Sequence, residues 1–195
     1  MAEVELPSPD ELREMKEKAF TRNVAMVTAF FAVLLAITSL GGNNAMKEMI
    51  LAQQQSSDQW AFYQAKVIRE HLYRSEKIRM ETELAMYSDT LAEPAREKLN
   101  SVIKMFGEEE KRYNSEKKEI ERDARKLEEE RDVNRSKDPY FDYAEVLLQI
   151  AIVMASVSIL AGSSGVFCFA AVAAVLGAIL SANGFLLIFK IPFLH

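Results

Sequence analysis

The side chains best suited to chemistry are few, and their spacing does not serve it. The chain has two histidines, His71 and His195, and one cysteine, Cys168. Neither histidine has a metal-ligand spacing to Cys, Asp or Glu. His71 follows Glu70 directly and reads as a surface or seam residue, not a general base. Cys168 has no partner for an intrachain disulfide and lies inside an apolar run. There is no glycine-rich phosphate loop: Gly41-Gly42 and Gly162 with Gly165 flank apolar runs and suit helix ends. A Ser-His-acid triad needs a pocket, and a long charged helical segment offers none. The expectation is a protein that is not an enzyme, with no catalytic residue, no metal and no cofactor.

What remains is hydrogen-bonding chemistry in apolar surroundings. Gln149 and Asn183 are neutral amides within apolar runs. Inside a bilayer such groups either line a pore or join helices, at about 1 kcal/mol per hydrogen bond. No ionisable residue sits deep in any run, which argues against a proton-coupled transporter or a voltage sensor.

Three apolar runs must position these amides: residues 24–40, 144–161 and 166–189. A bilayer span takes about 20 residues, and none of the three runs shows the amphipathic stripe of a soluble core helix. A basic flank precedes the first run, as in a signal peptide, but its apolar stretch exceeds a usual signal core and is expected to be retained. Small residues recur in the third run: Ala170, Ala174, Ala178 and Ala182 on one row, Ala173, Gly177 and Ser181 beside it. Ala151 and Ala155 offer a matching row in the second. Such rows let helix backbones approach closely in lipid. The link between these two runs is so short that they must form an antiparallel pair.

Between the first two runs lies a charged segment with helical periodicity. Tyr87-Ser88-Asp89-Thr90 weakens the helix, and Pro94 suits the first turn of a new one. Both ends of the segment must return to the same membrane face, so two arms of similar length fold as a hairpin. The predicted fold is an all-α membrane protein: three transmembrane helices, with a long antiparallel coiled-coil helical hairpin between the first and second. The expected parts are an amphipathic lead-in helix at 1–23, spans at 24–42, 139–161 and 166–190, a hairpin at 43–138 and a tail at 191–195. The hairpin arms cover about 43–88 and 94–134, and Asp138-Pro139 is expected to end the second. Ser8 with Glu11 fits a capping box at the start of the lead-in helix.

The second arm carries a 4-3 repeat: Leu99, Ile103, Phe106, Glu110, Tyr113, Lys117, Ile120, Ala124 and Leu127. Glu108–Arg112 and Glu121–Arg125 are helix-supporting pairs. The first arm has two apolar stripes, one through Trp60, Val67, Ile78 and Ala85, the other through Phe62, Leu72, Met80, Tyr87 and Leu91. One partner arm covers one face, so the surplus predicts self-association. Trp60, Tyr63, Val67, Phe62, Leu72 and Ile78 are the candidate oligomer contacts.

Net charge is −5, with no basic patch that would suggest nucleic acid. Arg13, Lys16, Lys18 and Arg22 precede the first run, which favours an inside N-terminus and an outside hairpin. Arg131, Arg135 and Lys137 pull the other way.

After the first run come Gly41-Gly42-Asn43-Asn44-Ala45, then Gln53-Gln54-Gln55-Ser56-Ser57-Asp58-Gln59-Trp60-Ala61-Phe62-Tyr63-Gln64-Ala65-Lys66, then Ile68-Arg69-Glu70-His71-Leu72-Tyr73. This block and the three-span layout resemble a family of bacterial membrane proteins, domain of unknown function 4337. The resemblance implies a bacterial inner-membrane location and brings no catalytic residues. The neutral amides and aromatics of the block suit hydrogen bonds between packed helices, because they bury no charge. The function expected is a homo-oligomeric membrane scaffold or docking assembly, with its own copies, membrane lipids and an unidentified protein as partners. The alternative is an oligomeric channel or transport accessory with Gln149 and Asn183 on a shared axis.

Overall fold

A computed structural model describes residues 8–191. The beginning of the lead-in segment (1–7) and the end of the tail (192–195) lie outside the described residues. Among these there are three helices and no strand: α1 (Pro9–Met86), α2 (Glu93–Ala161) and α3 (Ser164–Leu186). All three are long and apolar enough to cross a membrane.

The capping box is present at the start of α1. The Glu11 amide donates to Ser8 Oγ at 3.3 Å, and the Ser8 amide donates to the Glu11 carboxylate at 2.8 Å. From there α1 runs for 78 residues, with no separate lead-in helix and no end at Gly41-Gly42. Gly41 serves close packing instead. A Cβ there would lie 2.5 Å from Phe185 Cζ and 2.7 Å from Phe141 Cε1.

The expected end of the second arm at Asp138-Pro139 is also absent, because Pro139 sits inside α2. An interior proline costs about 3 kcal/mol. Tyr140 and Phe141 follow it, each 1% exposed. Burying two such side chains stabilises by about 1.5–3 kcal/mol each, which outweighs the proline. The turn between α1 and α2 holds the Thr90 and Leu91 amides on the Tyr87 carbonyl, both at 3.0 Å. Arg96 also donates to the Ser88 carbonyl. Between α2 and α3, Gly162 takes a φ of +59°, which a side chain would disfavour.

The chain divides into two compact units. One comprises the described residues up to Glu48 together with those from Val133 onward. Its interior is small and weakly polar: Val24, Phe31 and Thr38 from α1, Ala144, Leu148, Ala151, Ala155 and Ser158 from α2, and Ala170, Ala173, Ala174 and Ser181 from α3 are buried. Many of the large apolar side chains point the other way. Phe30, Val33 and Ile37 of α1, Val153 and Leu160 of α2, and Phe169, Val172 and Ile179 of α3 are exposed. A bundle with alanine inside and Phe, Ile and Val outside is suited to lipid, where close backbone packing replaces the hydrophobic drive between helices.

The other unit is Met49–Asp132. Its cross-helix contacts run in opposite directions along the sequence. Trp60 meets Glu128, Lys66 meets Glu116, Glu70 meets Asn114, and Lys77 meets Glu110. Every member of the 4-3 repeat from Leu99 to Leu127 is buried or half-buried.

Candidate functional site

No group of three or more His, Cys, Asp or Glu side chains able to hold a metal occurs among the described residues. The features that could carry a function are therefore helix contacts and uncovered faces, and each unit has its own.

In the bundle unit, the two amides have different fates. Asn183 is buried, and its side chain is consumed within the chain. Its amide nitrogen donates to the Phe189 carbonyl at 2.8 Å, and its oxygen accepts from the Phe189 amide at 2.9 Å. The Tyr140 hydroxyl completes this clasp, donating to the Phe189 carbonyl at 3.0 Å and accepting from the Ile191 amide at 2.9 Å. The chain reaches the clasp by turning at Leu187, whose φ of 48° is left-handed and whose amide donates to the Asn183 carbonyl at 2.7 Å. Gln149 is exposed on α2.

The small residues of α3 divide by angle. Ala170, Ala173, Ala174, Gly177 and Ser181 are buried, Ala178 is half-buried and Ala182 is exposed. At 3.6 residues per turn, steps of four drift round the helix, so Ala182 stands about 120° from Ala170 while Ser181 stands only about 20° away. Gly177 marks a close approach to α2, where a Cβ would lie 3.1 Å from the Ala144 carbonyl oxygen and 3.0 Å from Leu148 Cγ. Ser181 and Thr38 share a buried hydrogen bond of 2.8 Å between α3 and α1.

In the unit Met49–Asp132, the predicted contact residues also divide. Trp60, Tyr63 and Val67 are half-buried. The Trp60 indole donates to Glu128 at 2.9 Å and stacks edge-on with Tyr63 at 5.4 Å. Phe62, Leu72 and Ile78 are 60%, 57% and 53% exposed, and Ile68 is 68% exposed. Phe62, Ala65, Ile68 and Leu72 recur at three- and four-residue steps and form one uncovered stripe.

The seam that faces the second arm is one that apolarity alone does not reveal. It runs through Ala52, Ser56, Gln59, Tyr63, Lys66, Glu70, Tyr73, Lys77, Met80 and Leu84 at alternating steps of four and three, all buried or half-buried. Glu70 is its least expected member, 4% exposed. Burial alone would raise its carboxyl, but hydrogen bonds from Lys117 and Asn114 and the Lys117 charge outweigh this and hold it below the usual range. Lys117 and Glu110 are the two charged members of the second-arm repeat. Glu110 receives Lys77 at 2.9 Å and Arg74 at 3.1 Å. Their seam positions thus hold cross-helix ion pairs. A 4-3 spacing that tolerates complementary charges would have found the seam; a search for apolar residues did not. Of the two pairs expected within α2, Arg125 meets Glu121 at 2.8 Å, whereas Arg112 meets Glu109 at 2.8 Å and Glu116 at 3.4 Å instead of Glu108.

No curated protein and no solved structure matches the chain. Residues 20–187 match the family described as a domain of unknown function, DUF4337. That match takes in both arms, the first two apolar runs and most of the third, with Asn183 inside it and Phe189 beyond it, and the chain belongs to this family.

Proposed function

We propose that this protein is a non-enzymatic, homo-oligomeric membrane protein whose two arms form an antiparallel coiled-coil hairpin, several of which pack into a bundle that scaffolds the membrane or docks a partner. The observation that carries the reading is the stripe Phe62, Ile68 and Leu72, which lies outside the seam that meets the second arm and is left exposed. A contiguous apolar stripe on a helix in water calls for a cover. The second arm is already engaged through Glu110, Asn114, Glu116 and Glu128. A second copy supplies a matching stripe in the same register, and it buries apolar surface without burying charge. The opposed order of the cross-arm contacts supports the hairpin. The inside-out bundle supports three spans. The family resemblance and the basic residues before the first run support a bacterial inner membrane with the N-terminus inside.

The channel alternative requires Asn183 on a shared axis, and the Asn183 amide is instead spent on the Phe189 backbone. Mass measurement of the full chain in mild detergent tests the oligomer. A defined multimer that Phe62→Glu with Leu72→Glu dissociates is expected. A strictly monomeric particle at all concentrations overturns the reading.

A further inference from the structure

The outward faces of the three apolar segments are not alike. On α1 from Ala25 to Leu40, and on α3 from Cys168 to Leu186, the exposed side chains are apolar apart from the Cys168 thiol. On α2 the exposed face carries Gln149 and Ser156, seven residues apart on one line. Val146, Val153 and Leu160 interleave with them, so the exposed row alternates in steps of three and four over Val146, Gln149, Val153, Ser156 and Leu160. That is the spacing of a helix–helix seam, and none of the described residues covers it. The opposite face of the same helix, through Ala144, Leu148, Ala151, Ala155 and Ser158, is already buried.

The two polar side chains on this row differ in one respect. Ser156 donates its hydroxyl to the Ile152 carbonyl at 3.0 Å and needs nothing further. Gln149 has no hydrogen-bond partner among the described residues. It stands one turn deeper than Glu145 in a segment apolar enough to cross a membrane. Lipid chains offer an amide neither donor nor acceptor. An amide has both, so a second identical amide satisfies it in return.

We infer that this face of α2 is a contact between copies of this chain within the bilayer, with Gln149 hydrogen-bonded to Gln149 of a second copy inserted in the same direction. This deepens the oligomeric reading given above and rests on it, adding a contact separate from the first-arm stripe. Copies that share one membrane orientation bring equal depths together, so Gln149 meets Gln149 and Val153 meets Val153. The small Ser156 lets the helices approach one turn beyond Val153.

The test uses the full chain in native membranes, with Cys168→Ser as background and one cysteine added at a time. Oxidation is expected to join copies through Val153→Cys on this face and not through Val172→Cys on the exposed face of α3. Adding Gln149→Leu is expected to lower the Val153→Cys yield about 3- to 10-fold, and Gln149→Asn to restore part of it. Absence of cross-linking at Val153→Cys, while Ile68→Cys on the first arm still joins copies, overturns this contact and leaves the arm contact standing. Cross-linking at Val153→Cys without Ile68→Cys supports this contact and removes the arm stripe. Rapid labelling of Val153→Cys by a membrane-impermeant thiol reagent also overturns it, because water rather than a second helix would then face Gln149.

Discussion

Glu70→Ala is the most informative single change in the unit Met49–Asp132. The carboxylate is 4% exposed, takes a 2.7 Å hydrogen bond from Asn114 and pairs with Lys117, whose side chain is 19% exposed. Removing one member of a fully buried pair costs about 3–5 kcal/mol. Lys117 retains enough exposure to turn towards water, so the expected loss is about 2–3 kcal/mol. Trp60 is the only tryptophan and lies in the same unit, so its fluorescence reports this unfolding in the full chain. A urea slope of about 1 kcal/mol per M places the midpoint about 2–3 M lower. The pair Glu70→Leu with Lys117→Leu removes both charges together and should return to within about 1 kcal/mol of the starting protein. The pH dependence has a definite sign. The folded carboxyl lies below its ordinary value of 4.5, so its contribution is complete above pH 4.5 and is lost as pH falls from there through the folded value. Glu116 is lowered in the same sense, chiefly by the hydrogen bond from Lys66, so the difference between the protein and Glu70→Gln isolates Glu70. A Glu70→Ala midpoint within experimental error of the parent, or a double variant as unstable as the summed singles, would refute the reasoning.

Gly41→Ala should destabilise the bundle unit by about 1–3 kcal/mol, read as a lower midpoint of thermal unfolding in detergent, because the new methyl meets the Phe141 and Phe185 rings. Gly107→Ala should do the opposite. The nearest atom to its methyl is Lys77 Cδ at 3.6 Å, and removing a helical glycine gains up to about 1 kcal/mol, seen as a higher urea midpoint by Trp60 fluorescence. Asn183→Ala deletes both hydrogen bonds to Phe189, so amide hydrogen exchange at Phe189 should quicken by about tenfold or more, while Gln149→Ala leaves it unchanged.

The sequence made the helical content, the three apolar segments and the second-arm seam legible, because each is written in a periodicity of residue type. The capping box at Ser8 and Glu11 was equally legible, since its spacing leaves one geometry. The helix ends were harder. Gly41 and Pro139 are helix breakers by local propensity, and both lie inside helices because tertiary packing outweighs propensity there. Gly41 makes room for two rings, and Pro139 precedes two aromatic side chains that are almost fully buried. The first-arm seam was hidden for a different reason. Its contacts at Lys66, Glu70 and Lys77 are charged, and they become seam residues only when Glu116, Lys117 and Glu110 stand opposite. No reading of one arm alone reveals that complement.

That complement also bears on why the uncovered stripe is apolar. A seam that uses alternating charges is selective, because a slipped register sets like charges against each other. Lys66 with Glu116, Glu70 with Lys117 and Lys77 with Glu110 alternate in sign along the first arm, so a shift of one heptad would oppose Glu70 to Glu110 in one direction and Lys77 to Lys117 in the other. The fold within one chain is thereby fixed without spending the large apolar side chains. Phe62, Ile68 and Leu72 are left exposed outside that seam, and the contact proposed between copies draws on area more than on register. Inside the apolar segments the logic runs the other way. Area is worthless between helices in lipid, the chain spends its small residues on its own packing, and a single amide at Gln149 is left to distinguish one outward face from the other two.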